Sequence, residues 1–100
     1  MDKFGVYVNG CFHITFENGV TVSTTIGIGT YSGNKTKQGN YAYLKYQHEI
    51  TSNSAEIAIW DKNGDYLTDK WSKENGHDVA GWQSPKKLLS ALDWASKYQP

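Results

Sequence analysis

The chain predicts an α+β fold: an antiparallel β-sheet or meander of five to six strands with one C-terminal helix packed on one face. Three observations lead there. Asn-Gly pairs separate short runs that alternate in polarity and are rich in β-branched and aromatic residues. Those runs place apolar side chains on one side only. The last stretch repeats Leu88, Ala91, Leu92 and Ala95 at helical spacing behind a Ser84-Pro85 start. At 100 residues the chain has the size of a single domain, expected to span 1–100.

Asn9-Gly10 and Asn18-Gly19 are expected as two-residue hairpin corners, because Asn and Gly best tolerate the positive φ that a type I′ turn needs at both central positions. Strands follow at about residues 3–8, 11–17 and 20–27. In the second, Phe12, Ile14 and Phe16 share one face and Cys11, His13 and Thr15 the other. In the third, Val20, Val22 and Thr24 oppose Thr21, Ser23 and Thr25. Residues 28–40 show no periodicity and hold Gly29, Gly33 and Gly39, which predicts a long loop of a kind that is often functional. A fourth strand is expected at about 41–49, a fifth from Ala55 to Trp60, and a short sixth at Tyr66-Leu67-Thr68 after the polar turn Asp61-Lys62-Asn63-Gly64-Asp65. Residues 69–82 carry no strong pattern. The final helix has Ser84 as N-cap and Pro85 as first helical residue, where a missing amide costs nothing, and Leu89 widens its apolar stripe.

Charge and composition narrow the function classes. Ten lysines balance ten acids and arginine is absent, which argues against duplex DNA as a partner and leaves phosphate contacts to lysine or backbone amides. A lone Cys11 cannot form an internal disulfide, and Met1-Asp2-Lys3-Phe4-Gly5 opens no signal-like or membrane-spanning run. A cytoplasmic protein with no membrane partner is expected.

The residues from Thr25 to Gly33 bring glycines together but match neither a dinucleotide fingerprint nor a Walker loop, since Ser32 stands where the former needs glycine. Gly27 and Gly29 are read either as a twist leaving the sheet or as a ligand loop. Asp61, Asn63 and Asp65 have the opening spacing of a calcium loop, but Tyr66 and Ser72 occupy the positions that require Gly and Glu, so a polar hairpin turn is expected. His13, His48 and His77 lack zinc spacing, and neither a metal nor a cofactor is expected. The stretch 30–47 carries Lys35, Lys37 and Lys45 and no acid, interleaved with Tyr31, Tyr41, Tyr43 and Tyr46, whereas 48–78 is acidic on balance. Tyrosine beside lysine suits base stacking with phosphate attraction, or else a half-buried sheet face with solvated lysines. Trp71 and Trp82 fall in the segment without pattern, as protein-interface anchors or as pins that hold it to the domain.

The run Ile14-Thr15-Phe16-Glu17-Asn18-Gly19-Val20-Thr21-Val22-Ser23, the Gly-x-Gly-x-Tyr at 27–31, Ala55-Glu56-Ile57-Ala58-Ile59-Trp60-Asp61 with its Asn-Gly turn, and Gly81-Trp82-Gln83-Ser84-Pro85 resemble a group of small phage and prophage accessory proteins, over 13–97 with gaps. The resemblance implies phage origin and carries no catalytic chemistry. The expected function is therefore a non-enzymatic binding protein, a counter-defence factor that inhibits a host protein or sequesters a small nucleotide ligand. Gly27, Gly29, Tyr31, Lys35, Lys37, Tyr41, Tyr43 and Lys45 form the expected ligand face, and Trp71 and Trp82 the protein interface. A free sheet edge leaves homo-oligomer formation open. Two alternatives stand beside this reading: an enzyme using His48, His77 and Asp78 on a phosphorylated or nucleotide substrate, and a single-stranded nucleic-acid-binding module.

Overall fold

The computed structural model describes residues 2–7, 10–26, 51–73 and 77–100. Their elements run β1 (Lys3–Tyr7), β2 (Cys11–Thr15), β3 (Thr21–Thr25), β4 (Ala55–Trp60), α1 (Thr68–Ser72), β5 (Val79–Gln83) and α2 (Pro85–Ser96). The five strands form one antiparallel sheet in the order β1-β2-β3-β4-β5, with α2 on one face, which is the α+β meander expected. The expected strand at 41–49, the loop 28–40 and His48 lie outside the described residues.

The Asn18-Gly19 corner is built differently from the expected two-residue turn. The Gly19 amide donates to the Phe16 carbonyl at 2.8 Å and the Phe16 amide to Val20 at 2.9 Å, so Glu17, Asn18 and Gly19 make a three-residue loop. Gly19 alone is left-handed (φ 83°), the arrangement of a tight turn followed by a glycine bulge. The Asp61–Asp65 turn repeats it: Gly64 (φ 84°) donates to Asp61 at 3.0 Å, and Asp61 donates to Asp65 at 2.9 Å. Asn-Gly serves both geometries, because glycine supplies the positive φ and asparagine is also at home in the turn before it. Gly10 (φ 83°) has a further constraint, since a Cβ there would lie 2.0 Å from the Ile26 carbonyl oxygen.

Period two then sorts the side chains. Phe4, Ile14, Val22 and Ile59 are register partners on the helix side, and Gly5, His13, Ser23 and Ala58 on the other. Val20, Val22, Ile57, Ile59 and Leu67 form the core with Ala91 and Ala95 of α2, both fully buried, whose small side chains let the helix approach the sheet closely. Ser84 caps α2, its Oγ accepting from the Lys87 amide at 3.2 Å, and Pro85 follows as expected. Leu89 does not widen the apolar stripe and is 66% exposed. At about 100° per residue it points roughly a third of a turn away from the line of Leu88, Ala91, Leu92 and Ala95. The far end of α2 is tied to the first turns by Asn18, whose Nδ2 donates to the carbonyls of Ala95 (2.8 Å) and Tyr98 (3.0 Å) while its Oδ1 accepts from Val20. The Ala95 carbonyl also accepts from the Tyr98 amide at 3.2 Å, and Tyr98 follows the end of α2, so Asn18 adds to the hydrogen bonds that close the helix terminus.

Residues 66–82 correct the sequence reading. Tyr66 makes a single bridge to Trp60, and no strand forms at 66–68, because α1 begins at Thr68. Thr68 is fully buried; its Oγ1 accepts from the Ile59 amide at 2.8 Å and donates to the Asp78 carbonyl at 2.7 Å, a side chain standing in for strand pairing between β4 and the approach to β5. The stretch without pattern holds both α1 and β5. Strand β5 shows no clean alternation because its register shifts opposite Glu56, where Trp82 adopts φ 53°.

Replacing Thr68 with Val keeps the shape and removes the hydroxyl. Leaving the buried Ile59 amide without its side-chain acceptor, and the Asp78 carbonyl without its donor, is expected to cost about 2 kcal/mol in urea unfolding, with Thr68→Ser losing less than half as much; an unchanged midpoint for Thr68→Val would contradict this role.

Candidate functional site

The face of the sheet opposite α2 carries the richest chemistry among the described residues. Its centre is small and polar: Thr21 and Ser23 of β3 and Ala58 of β4 are buried. Thr15 Oγ1 and Thr21 Oγ1 lie 2.8 Å apart, Cys11 Sγ and Ser23 Oγ 3.2 Å, and Thr25 donates to Cys11 Sγ at 3.3 Å. These side chains satisfy one another, which is how a polar sheet face can pack without losing hydrogen bonds.

Across that floor runs a line of rings. Tyr7 meets His13 at a centroid distance of 4.6 Å, His13 meets Trp60 edge-on at 5.1 Å, and Trp60 meets Tyr66 edge-on at 6.0 Å. Gly5 makes room for the first contact, since a Cβ there would sit 3.3 Å from the Tyr7 ring. Edge-to-face geometry sets the positive rim of one ring against the negative face of the next. The imidazole of His13 is held below its usual value of 6.5, and burial is the cause: enclosed between two rings it loses the water that would solvate its charged form.

At the Trp60 end the face opens into a cleft of about 590 Å³ lined by Lys3, Thr15, Gly19, Thr21, Trp60 and residues 61–64. The strand ends β1 to β4 supply one wall and the Asp61–Asp65 turn the other. Gly19 lets the two turns touch, since a Cβ there would lie 2.7 Å from Lys62 Cβ. Asp61 holds its own turn, Oδ1 accepting from the amides of Asn63 (2.8 Å) and Asp65 (3.0 Å), which bears out the polar hairpin expected of this spacing. The cleft thus offers an indole, two lysine side chains, two threonine hydroxyls, an asparagine amide and the Asp61 carboxylate, one oxygen of which is held by its own turn; two cations against one anion leave the lining positive on balance, which suits a planar ring bearing an anionic group.

The ligand residues expected from the sequence, Gly27, Gly29, Tyr31, Lys35, Lys37, Tyr41, Tyr43 and Lys45, lie outside the described residues. Trp71 is half-buried against the core, and its indole N–H donates to Ser90 Oγ at 3.2 Å, joining α1 to α2. Trp82 is 59% exposed on the edge strand β5. His77 and Asp78 are both exposed, and the Asp78 carbonyl serves Thr68. Among the described residues no three His, Cys, Asp or Glu side chains converge as metal ligands, and no helix is long and apolar enough to cross a membrane. The sequence reading placed His13 on the polar face of its strand but did not join it to Trp60, because they meet only through the β2-β3-β4 register. Comparison with protein-family models, curated proteins and solved structures finds no match for the chain.

The His13 shift fixes the sign of a pH effect. With a folded pKa below 6.5, the unfolded chain takes up the proton first as pH falls past 6.5; stability declines from there to the depressed folded value and levels off beneath it. His13→Phe keeps a ring and removes the titration, so its urea midpoint is expected to fall less between about pH 7.5 and pH 5.5 than that of the parent protein. Equal falls in the two proteins would remove His13 from the pH dependence.

Proposed function

We propose that the protein is a non-catalytic binding protein that sequesters a small ligand of the nucleotide class in the cleft beside Trp60. The observation that carries the reading is the placing of one indole and two lysines, Lys3 and Lys62, around a single cavity of about 590 Å³ on a protein of zero net charge. A base stacked on an indole gains roughly 1–3 kcal/mol, and an ammonium group binds phosphate as a point charge without the arginine that the sequence lacks. Thr15, Thr21 and Asn63 supply hydroxyl and amide groups for the polar edge of a sugar or base. The ligand class is that of the sequence expectation, moved to different residues. The resemblance to phage accessory proteins supports a counter-defence setting in a host cytoplasm, in which holding a signal nucleotide is sufficient and turnover is not needed.

Adenosine monophosphate is the probe. Titration calorimetry and tryptophan fluorescence are expected to show binding below about 1 mM, with adenosine and ribose 5-phosphate each at least about tenfold weaker, since each lacks one of the two recognised groups. Lys62→Ala and Trp60→Leu are each expected to weaken binding about tenfold or more, and the nucleotide should be recovered unchanged. No binding at that concentration, or full binding by both variants, would overturn the reading; a hydrolysed product would replace it with the enzyme alternative.

A further inference from the structure

The two edges of the sheet are built unequally. At β5 the ladder is interrupted by the shift opposite Glu56 and by Trp82 at φ 53°, the kind of irregularity that prevents another strand from adding there. At β1 all five residues pair with β2 in unbroken register, from Lys3 opposite Thr15 to Tyr7 opposite Cys11, and no described strand pairs with the outer side. Strand β1 has no proline and no bulge, and its one charged residue stands at its end. It also carries the most exposed apolar side chains of the sheet: Phe4 is 75% and Val6 79% exposed, with Phe12 beside them at 36%. Phe4 and Phe12 already stack at 6.0 Å on the helix side, beyond the strands that α2 covers. An edge that is regular, apolar and unguarded among the described residues is a pairing surface.

We propose that β1 pairs antiparallel with β1 of a second copy about a two-fold axis through Gly5. The five-residue sequence Lys-Phe-Gly-Val-Tyr is self-complementary in that register. Phe4 faces Val6 of the second copy twice, on the helix side, where opposed apolar pairs stabilise a ladder. Gly5 faces Gly5, so the axis is free of side chains. On the other side Lys3 faces Tyr7 of the second copy, an ammonium group against a ring, and the two Lys3 residues stand at opposite ends of the ladder, roughly 13 Å apart at the rise of a strand. The axis is perpendicular to the sheet, so both α2 helices lie on one face of a ten-stranded sheet and the two ring lines Tyr7–His13–Trp60–Tyr66 lie on the other. Lys3 also lines the cleft, so Tyr7 of the second copy stands at its rim; that consequence rests on the ligand reading, while the pairing itself does not.

The test is sedimentation velocity of the full chain between about 1 and 200 µM, a range chosen because one strand pair with four apolar side chains is a small interface. A concentration-dependent dimer is expected. Val6→Lys, at a position exposed enough to leave the fold intact, should weaken it at least about tenfold. Amide hydrogen exchange should show β1 protected at the high concentration and released at the low one. A monomer throughout, a dimer indifferent to Val6→Lys, or β1 amides equally protected at both concentrations would each overturn the proposal, the last by showing that the strand is covered from within its own chain.

Discussion

Everything in this molecule depends on the period-two register that runs from β1 to β4. A one-residue slip in the β3–β4 ladder would carry Val22 or Ile59 to the polar face and bring Ser23 or Ala58 beneath the helix. Left-handed glycines help to prevent it. Gly10, Gly19 and Gly64 each close a hairpin, and in two of the three a close neighbour leaves no room for a Cβ. Asn18 adds a check over a long sequence distance: it bonds the β2–β3 turn to the Ala95 carbonyl in the last turn of α2 and to the Tyr98 carbonyl just beyond it, so the correct turn and the docked helix require one another.

The same register accounts for the difference between the two faces. Beneath α2, the core is assembled from β-branched residues of and beside β3 and β4, Leu67 and two alanines of the helix. Strands β1 and β2 extend past it and keep Phe4, Val6 and Phe12 at the surface. On the opposite face, hydrogen bonds of Thr15 with Thr21 and of Cys11 with Ser23 and Thr25 make a polar floor, and the rings of Tyr7, His13, Trp60 and Tyr66 lie across it. The lowered proton affinity of His13 belongs to that enclosure. Where the ring line ends, the Asp61–Asp65 turn rises beside Trp60 and a cleft results. The proposed ligand site is therefore a product of two hairpins meeting, and no single motif encodes it.

Much of the fold was legible in the sequence because its signals are local. Strand β4 occupies the expected residues Ala55–Trp60, and Ser84 with Pro85 opens α2 as expected. Two kinds of information were not local. The turn geometry at Asn18-Gly19 depends on which of two backbone solutions the flanking ladder selects, and both accept the same residues. The segment 66–82 depends on Thr68, whose hydroxyl satisfies strand groups from a helix terminus, and on a bulge that erases the alternation of β5. The site was less legible than the fold. Its polar face could be read from the alternation of Cys11, His13 and Thr15, but Lys3, Trp60 and Lys62 come together only in space.

The central claim is that the cleft at the end of the ring line is where this protein holds its ligand. Amide and indole chemical-shift mapping of the labelled protein during titration with adenosine monophosphate tests it most directly. The account predicts shifts confined to Lys3, Thr15, Thr21, Lys62, Asn63 and the Trp60 indole N–H. Shifts concentrated on α2, or none at Trp60, would contradict it.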